Sequence, residues 1–325
     1  MDKFKIISIV GNTKNAGKTT VMNHYLEQLF CRLAITSIGL DGEEIDQITS
    51  MEKPRIFVKE SYIVATAIDT LKNYSCDYRI LEKTNIKTSI GEVVIIEILN
   101  EGKALVAGPS RVKDMQLLIS ILEKYELEKI IIDGAFSRQT FARTSDATIF
   151  VVGANKDKDI DKVVKDAYLH YRKFNLEIMP ALPYSFGHNI GYVSQNNIFQ
   201  ELPFSSVIGN VNDIFVDEVL NAKYLYLPKT ISNKFVEKLV VERGKYSFDL
   251  IIQTPINIQV SDDNLEKLFK LNFNIFTINP VNVALICYNP YSPKGYEFDN
   301  NDFKNKLKNA LKTDVLNVLE GGIYE

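Results

Sequence analysis

Through the first half of the chain, short runs of aliphatic and β-branched residues alternate with segments whose apolar positions recur at helical spacing. The runs predict strands at Lys5–Val10, Ile35–Leu40, Arg55–Val58, Glu92–Leu99, Ala104–Ala107, Lys129–Asp133 and Ala147–Gly153. The segments between them predict helices at Lys18–Cys31, Tyr62–Leu71, Val112–Lys124 and Asp159–Phe174. Some runs, such as Ile130-Ile131-Ile132 and Ile149-Phe150-Val151-Val152, are apolar at every position. A strand needs that pattern only when both of its faces are covered, as in a parallel sheet flanked by helices. The expected fold class is therefore α/β, a doubly wound, mostly parallel sheet over residues 1–178. Beyond about residue 175 the texture changes. Pro180, Pro183, Gly187, Gly191 and a set of polar residues (Asn189, Ser194, Gln195, Asn196, Asn197) predict a loop-rich connector over 179–222. Apolar runs return at Tyr224–Leu227, Asp249–Gln253, Asn274–Ile278 and Val283–Tyr288, with helical patterns at Ser232–Glu242, Asp263–Leu271 and Phe303–Leu311. They predict a smaller α/β domain over 223–325.

Composition narrows this picture without redirecting it. A length of 325 residues fits about two domains. With 46% hydrophobic and 24% charged residues the chain can bury a core. A formal net charge of −3 gives no electrostatic drive toward nucleic acid or anionic lipid. Cys31, Cys76 and Cys287 are far apart and form no metal-binding spacing, so reduced thiols and a cytoplasmic location are expected. The residues Met1–Lys5 lead straight into a strand without the apolar region of a signal peptide, and no apolar run is long enough to span a membrane. His24, His170 and His188 show no carboxylate, cysteine or second histidine at metal spacing, so none is expected to be a ligand. No G-x-S-x-G nucleophile motif occurs.

The chemistry concentrates where the first predicted strand meets the first predicted helix: Gly11-Asn12-Thr13-Lys14-Asn15-Ala16-Gly17-Lys18-Thr19-Thr20. A glycine-bearing loop between strand and helix that ends in Gly-Lys-Thr is the phosphate-loop arrangement. Its amides and the helix N-terminus favour an anion. Lys18 adds a charge for the β- and γ-phosphates, and Thr19 offers a hydroxyl to Mg²⁺. In an open parallel sheet, ligands sit beyond the carboxyl ends of strands, so residues after the other strands matter next. Ile130-Ile131-Ile132-Asp133-Gly134 has the shape of a Walker B segment, in which Asp133 would hold Mg²⁺ beside Thr19; Asp-Gly is also an ordinary turn pair. Gly39-Leu40-Asp41-Gly42-Glu43-Glu44 supplies a further acidic cluster, with Asp41 nearest the strand end, and a solvated loop is its plain alternative. Gly108-Pro109-Ser110 reads as a turn with Ser110 as a helix N-cap. Lys53-Pro54-Arg55 and Ser137-Arg138 put basic groups near strand ends. Asn155-Lys156-Asp157-Lys158 fails the guanine-reading Asn-Lys-x-Asp pattern at its last position.

The phosphate loop holds five residues between Gly11 and Gly17, where the common form has four. In this it resembles the dethiobiotin synthetase and cobyric acid synthetase branch of P-loop proteins, within the wider class of Min-type ATPases and metal-centre maturation NTPases. That resemblance implies a functional acid after the second strand, matched by Asp41, and a Walker B acid, matched by Asp133. The signature lysine of Min-type members falls at Thr13, with Lys14 one place off, which argues against their face-to-face ATP sandwich. A closer resemblance is carried by Ser8–Thr20, Ser37–Glu44, Lys53–Val58, Leu105–Ser110, Ile132–Arg138 and Asn289-Pro290-Tyr291-Ser292-Pro293-Lys294-Gly295-Tyr296. Together, in this order, they look like the P-loop subunit of lysine 5,6-aminomutase reactivases. It implies an ATP-using chaperone that acts with a second subunit to expel damaged cobalamin from an adenosylcobalamin-dependent aminomutase.

The residues alone thus predict an Mg²⁺-dependent P-loop nucleoside triphosphatase, ATP its expected nucleotide. Lys18, Asp41 and Asp133 are its catalytic candidates; Thr19, Asp133 and Asp41 its metal ligands; Gly11 to Thr20 its nucleotide cradle. Asp41, Glu43 or Glu44 would position water. The segment 223–325 would serve a partner or regulation, and a homo-oligomer is allowed. No arginine finger is evident, so turnover alone should be slow. The rival readings are an ATP-dependent small-molecule ligase or kinase of the dethiobiotin synthetase kind and a metal- or cofactor-insertion NTPase. A non-hydrolysing nucleotide-binding subunit is a third.

Overall fold

A computed structural model describes residues 1–38, 55–134, 145–181 and 185–317. It divides into two compact units, one of residues 1–164 with 283–325 and one of residues 165–282. In the first, chain order runs β1 (Ile6–Gly11), α1 (Lys18–Glu27), β2 (Leu33–Ser37), β3 (Ile56–Val58), β4 (Ile63–Ala67), a 3₁₀ turn (Ile68–Asn73), β5 (Tyr78–Thr88), β6 (Gly91–Ile98) and β7 (Gly102–Ala104). There follow α2 (Val112–Leu122), β8 (Lys129–Asp133), β9 (Ala147–Gly153) and α3 (Ile160–Phe174), which crosses into the second unit. The second unit continues with β10 (Glu177–Ile178), β11 (Gly191–Val193), β12 (Phe199–Glu201), α4 (Val211–Ile214), α5 (Asp217–Leu220), β13 (Tyr224–Leu227), α6 (Asn233–Val241), β14 (Asp249–Ile252), α7 (Asp262–Phe269) and β15 (Ile275–Thr277). The chain then returns to the first unit as β16 (Val283–Asn289), β17 (Tyr291–Ser292), β18 (Tyr296–Glu297), α8 (Asn300–Leu311) and β19 (Leu316–Asn317).

The first unit is a mixed α/β structure around a nine-stranded sheet in the order β19-β16-β9-β1-β8-β2-β4-β6-β5 among the described residues. Every neighbouring pair from β19 to β4 is parallel, and β6 and β5 join antiparallel. The two-residue period of a strand explains why its central runs are apolar throughout. Ile130 and Ile132 on β8 enter the cluster formed with Met115, Leu118, Ile119 and Leu122 of α2. Ile131 between them enters the opposite cluster with Val21, Met22, Tyr25 and Leu26 of α1. The α2 contacts fall at i, i+3, i+4 and i+7, a helix with one apolar stripe on the sheet. Each fully buried aliphatic side chain stabilises by about 1.5–3 kcal/mol relative to exposure, so the two clusters hold α1 and α2 on opposite faces.

Three expectations are corrected. The segment Tyr62–Leu71 is not a helix: Ile63–Ala67 forms strand β4, buried at every position, and only Ile68–Asn73 winds into 3₁₀ turns. Buried on both faces, β4 has no period-2 alternation to reveal it. Residues 179–222 are not wholly loop, because β11 and β12 join the six-stranded sheet β10-β15-β14-β13-β11-β12 of the second unit. The expected division into 1–178, 179–222 and 223–325 also differs from the structure. Residues 283–317 leave the preceding strands because β16 pairs in parallel with β9, in register from Leu285–Ile149 to Asn289–Gly153.

Candidate functional site

The carboxyl ends of β9, β1, β8 and β2 lie side by side, and β1 sits between β8 and β9. The connection from β1 leads through α1 to β2 on the β8 side, while β9 has β16 on its other flank. This reversal of direction is where open α/β sheets form a ligand crevice. The loop after β1 occupies it. Gly17 is the N-cap of α1 with φ 101° and ψ 15°, and among the described residues no side chain caps the helix. That conformation costs a residue with a Cβ about 1–2 kcal/mol. Here a Cβ would also lie 2.7 Å from Asn289 Nδ2. Asn15 too is left-handed, with φ 59°, which Asn tolerates better than most residues.

The rest of the loop is pinned to β9. Buried Asn12 donates its amide to the Val151 carbonyl at 2.9 Å, and its Oδ1 accepts from the Gly153 amide at 2.9 Å. A Cβ on Gly153 would come within 2.4 Å of Ala16 Cα, so only glycine lets the loop lie this close. Asn155 Nδ2 donates to the Lys14 carbonyl at 2.9 Å. Asn155 is in turn held from the far end of the chain: Ser292 Oγ bonds its Oδ1 at 3.2 Å, and Lys294 Nζ donates to its carbonyl at 3.0 Å. Tyr296 OH donates to the neighbouring Ala154 carbonyl at 2.7 Å. Sequence reasoning gave Asn155 no role once the guanine pattern failed; its work is to brace the loop.

Asp133 ends β8 beside this loop, with the adjacent Gly134 amide donating to the Ile9 carbonyl of β1 at 2.9 Å. Its Oδ1 is buried and has no hydrogen-bond partner among the described residues. Burial pushes its carboxyl up to about 6, and the charge of Lys18 opposes that rise. A buried carboxylate within the electrostatic reach of Lys18, on the strand beside the loop that ends in Thr19, offers the oxygen chemistry that a hard cation such as Mg²⁺ takes. Thr13, Gly17, Lys18 and Thr19 are half-buried here, and Lys14, Asn15 and Thr20 are exposed. The segment after β7 closes toward the same end of the sheet. Ser37 Oγ donates to the Val106 carbonyl at 2.9 Å and accepts from the Gly108 amide at 3.3 Å. Ser110 is not the N-cap of α2; Arg111 is, without a side-chain cap. Asp41, Glu43, Glu44, Lys53, Pro54, Ser137 and Arg138 lie outside the described residues.

The premise that no carboxylate stands near His170 at metal spacing is corrected. His170 Nε2 lies 3.6 Å from Asp166 Oδ1 and 3.6 Å from Asp262 Oδ1. The first partner stands four residues earlier on α3, a spacing that the sequence did display; the second comes from the start of α7 and was not legible. His24 Nε2 is bonded to Gln28 Nε2 at 2.8 Å within and just beyond α1. Among the described residues no helix is long and apolar enough to cross a membrane. Cys31, Cys76 and Cys287 are free thiols, and burial pushes Cys287 up to about 12.

Comparison with known proteins returned no matching family model, no matching curated protein and no matching solved structure.

Proposed function

We propose that the first unit binds a nucleoside triphosphate with Mg²⁺ and hydrolyses it, ATP being the preferred nucleotide. The observation that carries this reading is the meeting of three features at the carboxyl ends of β1 and β8. They are a glycine-capped helix start with no side-chain cap, a lysine at that start, and a buried carboxylate oxygen of Asp133 with no hydrogen-bond partner among the described residues. Helix-start amides and Lys18 would bind the β- and γ-phosphates. Thr19 and Asp133 would hold Mg²⁺, which, when bound, neutralises phosphate charge. In hydrolysis a water oxygen bonds to the γ-phosphorus, the bond to the β–γ bridging oxygen breaks, and ADP leaves with the electron pair. The water proton passes to solvent. Lys18 and the loop amides stabilise the charge that moves onto the bridging oxygen. Asp41, with Glu43 and Glu44 as alternatives, would orient the water.

The biological role proposed is that of the ATP-using subunit of a reactivating chaperone for an adenosylcobalamin-dependent aminomutase, acting with a second subunit. It rests on the resemblance to lysine 5,6-aminomutase reactivases. One structural fact supports it. Two stretches of that resemblance from opposite ends of the chain, Gly11–Thr20 and Asn289–Tyr296, meet through Asn289 against Gly17 and through Asn155. Residues 165–282 would then serve a partner or regulation. The test is recovery of activity by an inactivated aminomutase given this chain, its second subunit, MgATP and fresh adenosylcobalamin. Recovery that Lys18→Ala abolishes supports the role; full recovery with Lys18→Ala, or none with the wild type, defeats it.

A second reading has one observation in its favour. The Gly108 loop, fixed on Ser37, flanks the crevice where an acceptor for the γ-phosphate would enter in a dethiobiotin synthetase-like ligase or kinase. Phosphate transfer that requires an added small acceptor, and no protein partner, would favour that reading.

A further inference from the structure

The second unit carries a polar cluster that the nucleotide reading does not use. Asp166, His170 and Lys173 follow one another along one side of α3 at i, i+4 and i+7, facing Asp262 at the start of α7. Asp166 and His170 side chains are 5% and 6% exposed, while Asp262 is 45% exposed at the rim. His170 Nε2 stands 3.6 Å from a carboxylate oxygen on each side, and the three ligand atoms all fall within 4.8 Å of one another. The two His170–carboxylate separations match a shared ion: ligands held about 2.0–2.2 Å from a tetrahedral zinc lie about 3.3–3.6 Å apart. The charges agree. Two carboxylates face one buried ammonium, Lys173, so with a neutral imidazole the group carries a net negative charge.

The geometry points to a divalent transition-metal site of the zinc type, with Asp166, His170 and Asp262 as ligands. Imidazole nitrogen with carboxylate oxygen suits zinc. The exposed side of Asp262 gives the entry path and leaves a fourth position for water. Such an ion would tie α3 to the N-terminal turn of α7 inside the second unit. The site is independent of nucleotide binding, so it stands or falls separately from the proposed function.

The test uses the full-length chain stripped with a chelator and titrated calorimetrically with ZnCl₂, then with Co²⁺ as a spectroscopic stand-in. The expected result is one saturable ion per chain and visible cobalt bands of tetrahedral intensity. Asp262→Asn should weaken binding at least about tenfold, and His170→Gln more strongly. Asp262→Asn keeps the α7 cap, because Ser261 Oγ accepts from the Asn264 amide, so its result remains readable if His170→Gln fails to fold. Asp133→Asn should leave the zinc isotherm unchanged. Absence of saturable binding, or an isotherm that Asp262→Asn and His170→Gln leave untouched, overturns the assignment. So does a weak six-coordinate cobalt spectrum, because the imidazole would then only bridge two carboxylates.

Discussion

At Asp133, burial and proposed function pull one carboxyl in opposite directions. Its folded value near 6 lies above the 3.8 of an unconstrained aspartate. The folded state therefore holds the extra proton between those values, and stability falls as pH rises through that window. Above it, in metal-free protein, the ionised carboxylate costs at most about 3 kcal/mol. Asp133→Asn should thus raise the melting temperature of the nucleotide-free chain at pH 7–8, with the gain vanishing below about pH 4. The same change should lower Mg²⁺-dependent hydrolysis by about 100-fold or more, the scale of losing one preorganised charge-stabilising group. A stable but inactive variant is the signature; a destabilised one would contradict the account of Asp133. Because the Lys18 charge holds this carboxyl down, Lys18→Ala should move its titration higher, measurable by carboxyl ¹³C NMR. The helix start at Gly17-Lys18-Thr19 was legible because its residues adjoin in sequence. The partnership of His170 with Asp262 was not, since it depends on packing α3 against α7.

At the scale of elements, the phosphate-loop candidate is a glycine-dependent piece of backbone held by its neighbours. Gly17→Ala combines a left-handed φ of 101° with a Cβ 2.7 Å from Asn289 Nδ2. It should cost about 1–2 kcal/mol from backbone strain alone and shift the loop, so nucleotide affinity should fall together with the melting temperature. Asn12→Ala leaves the buried Gly153 amide without its acceptor, a loss of about 1–3 kcal/mol readable by denaturant unfolding. Strand β1, α1, β8 and β9 were readable because each is a continuous apolar run or a periodic stripe. Strand β4 was misread as helix because its five positions are all buried. Strand β5 escaped notice for the opposite reason: it is an edge strand with only two buried positions, carrying Arg79, Glu82, Lys83 and Lys87.

Over the whole molecule, the chain leaves the first unit at residue 164 and returns at 283. No local pattern announces a return, because a strand run such as Val283–Asn289 does not name its sheet. Its pairing with β9 buries Cys287 and Tyr288 completely. A chain ending at Asn282 should therefore expose the β9 edge and aggregate, and residues 223–325 alone should show no cooperative unfolding by circular dichroism. The return also brings Asn289, Ser292 and Lys294 to the loop they brace, which is why the proposed nucleotide site draws on both ends of the chain. The most direct test of that site is calorimetric titration of the full chain with ATP, with and without Mg²⁺. Saturable, Mg²⁺-strengthened binding at one site is expected, weakened at least about tenfold by Lys18→Ala, the equivalent of about 1.4 kcal/mol. Absence of ATP binding, or equal binding by Lys18→Ala, would contradict it.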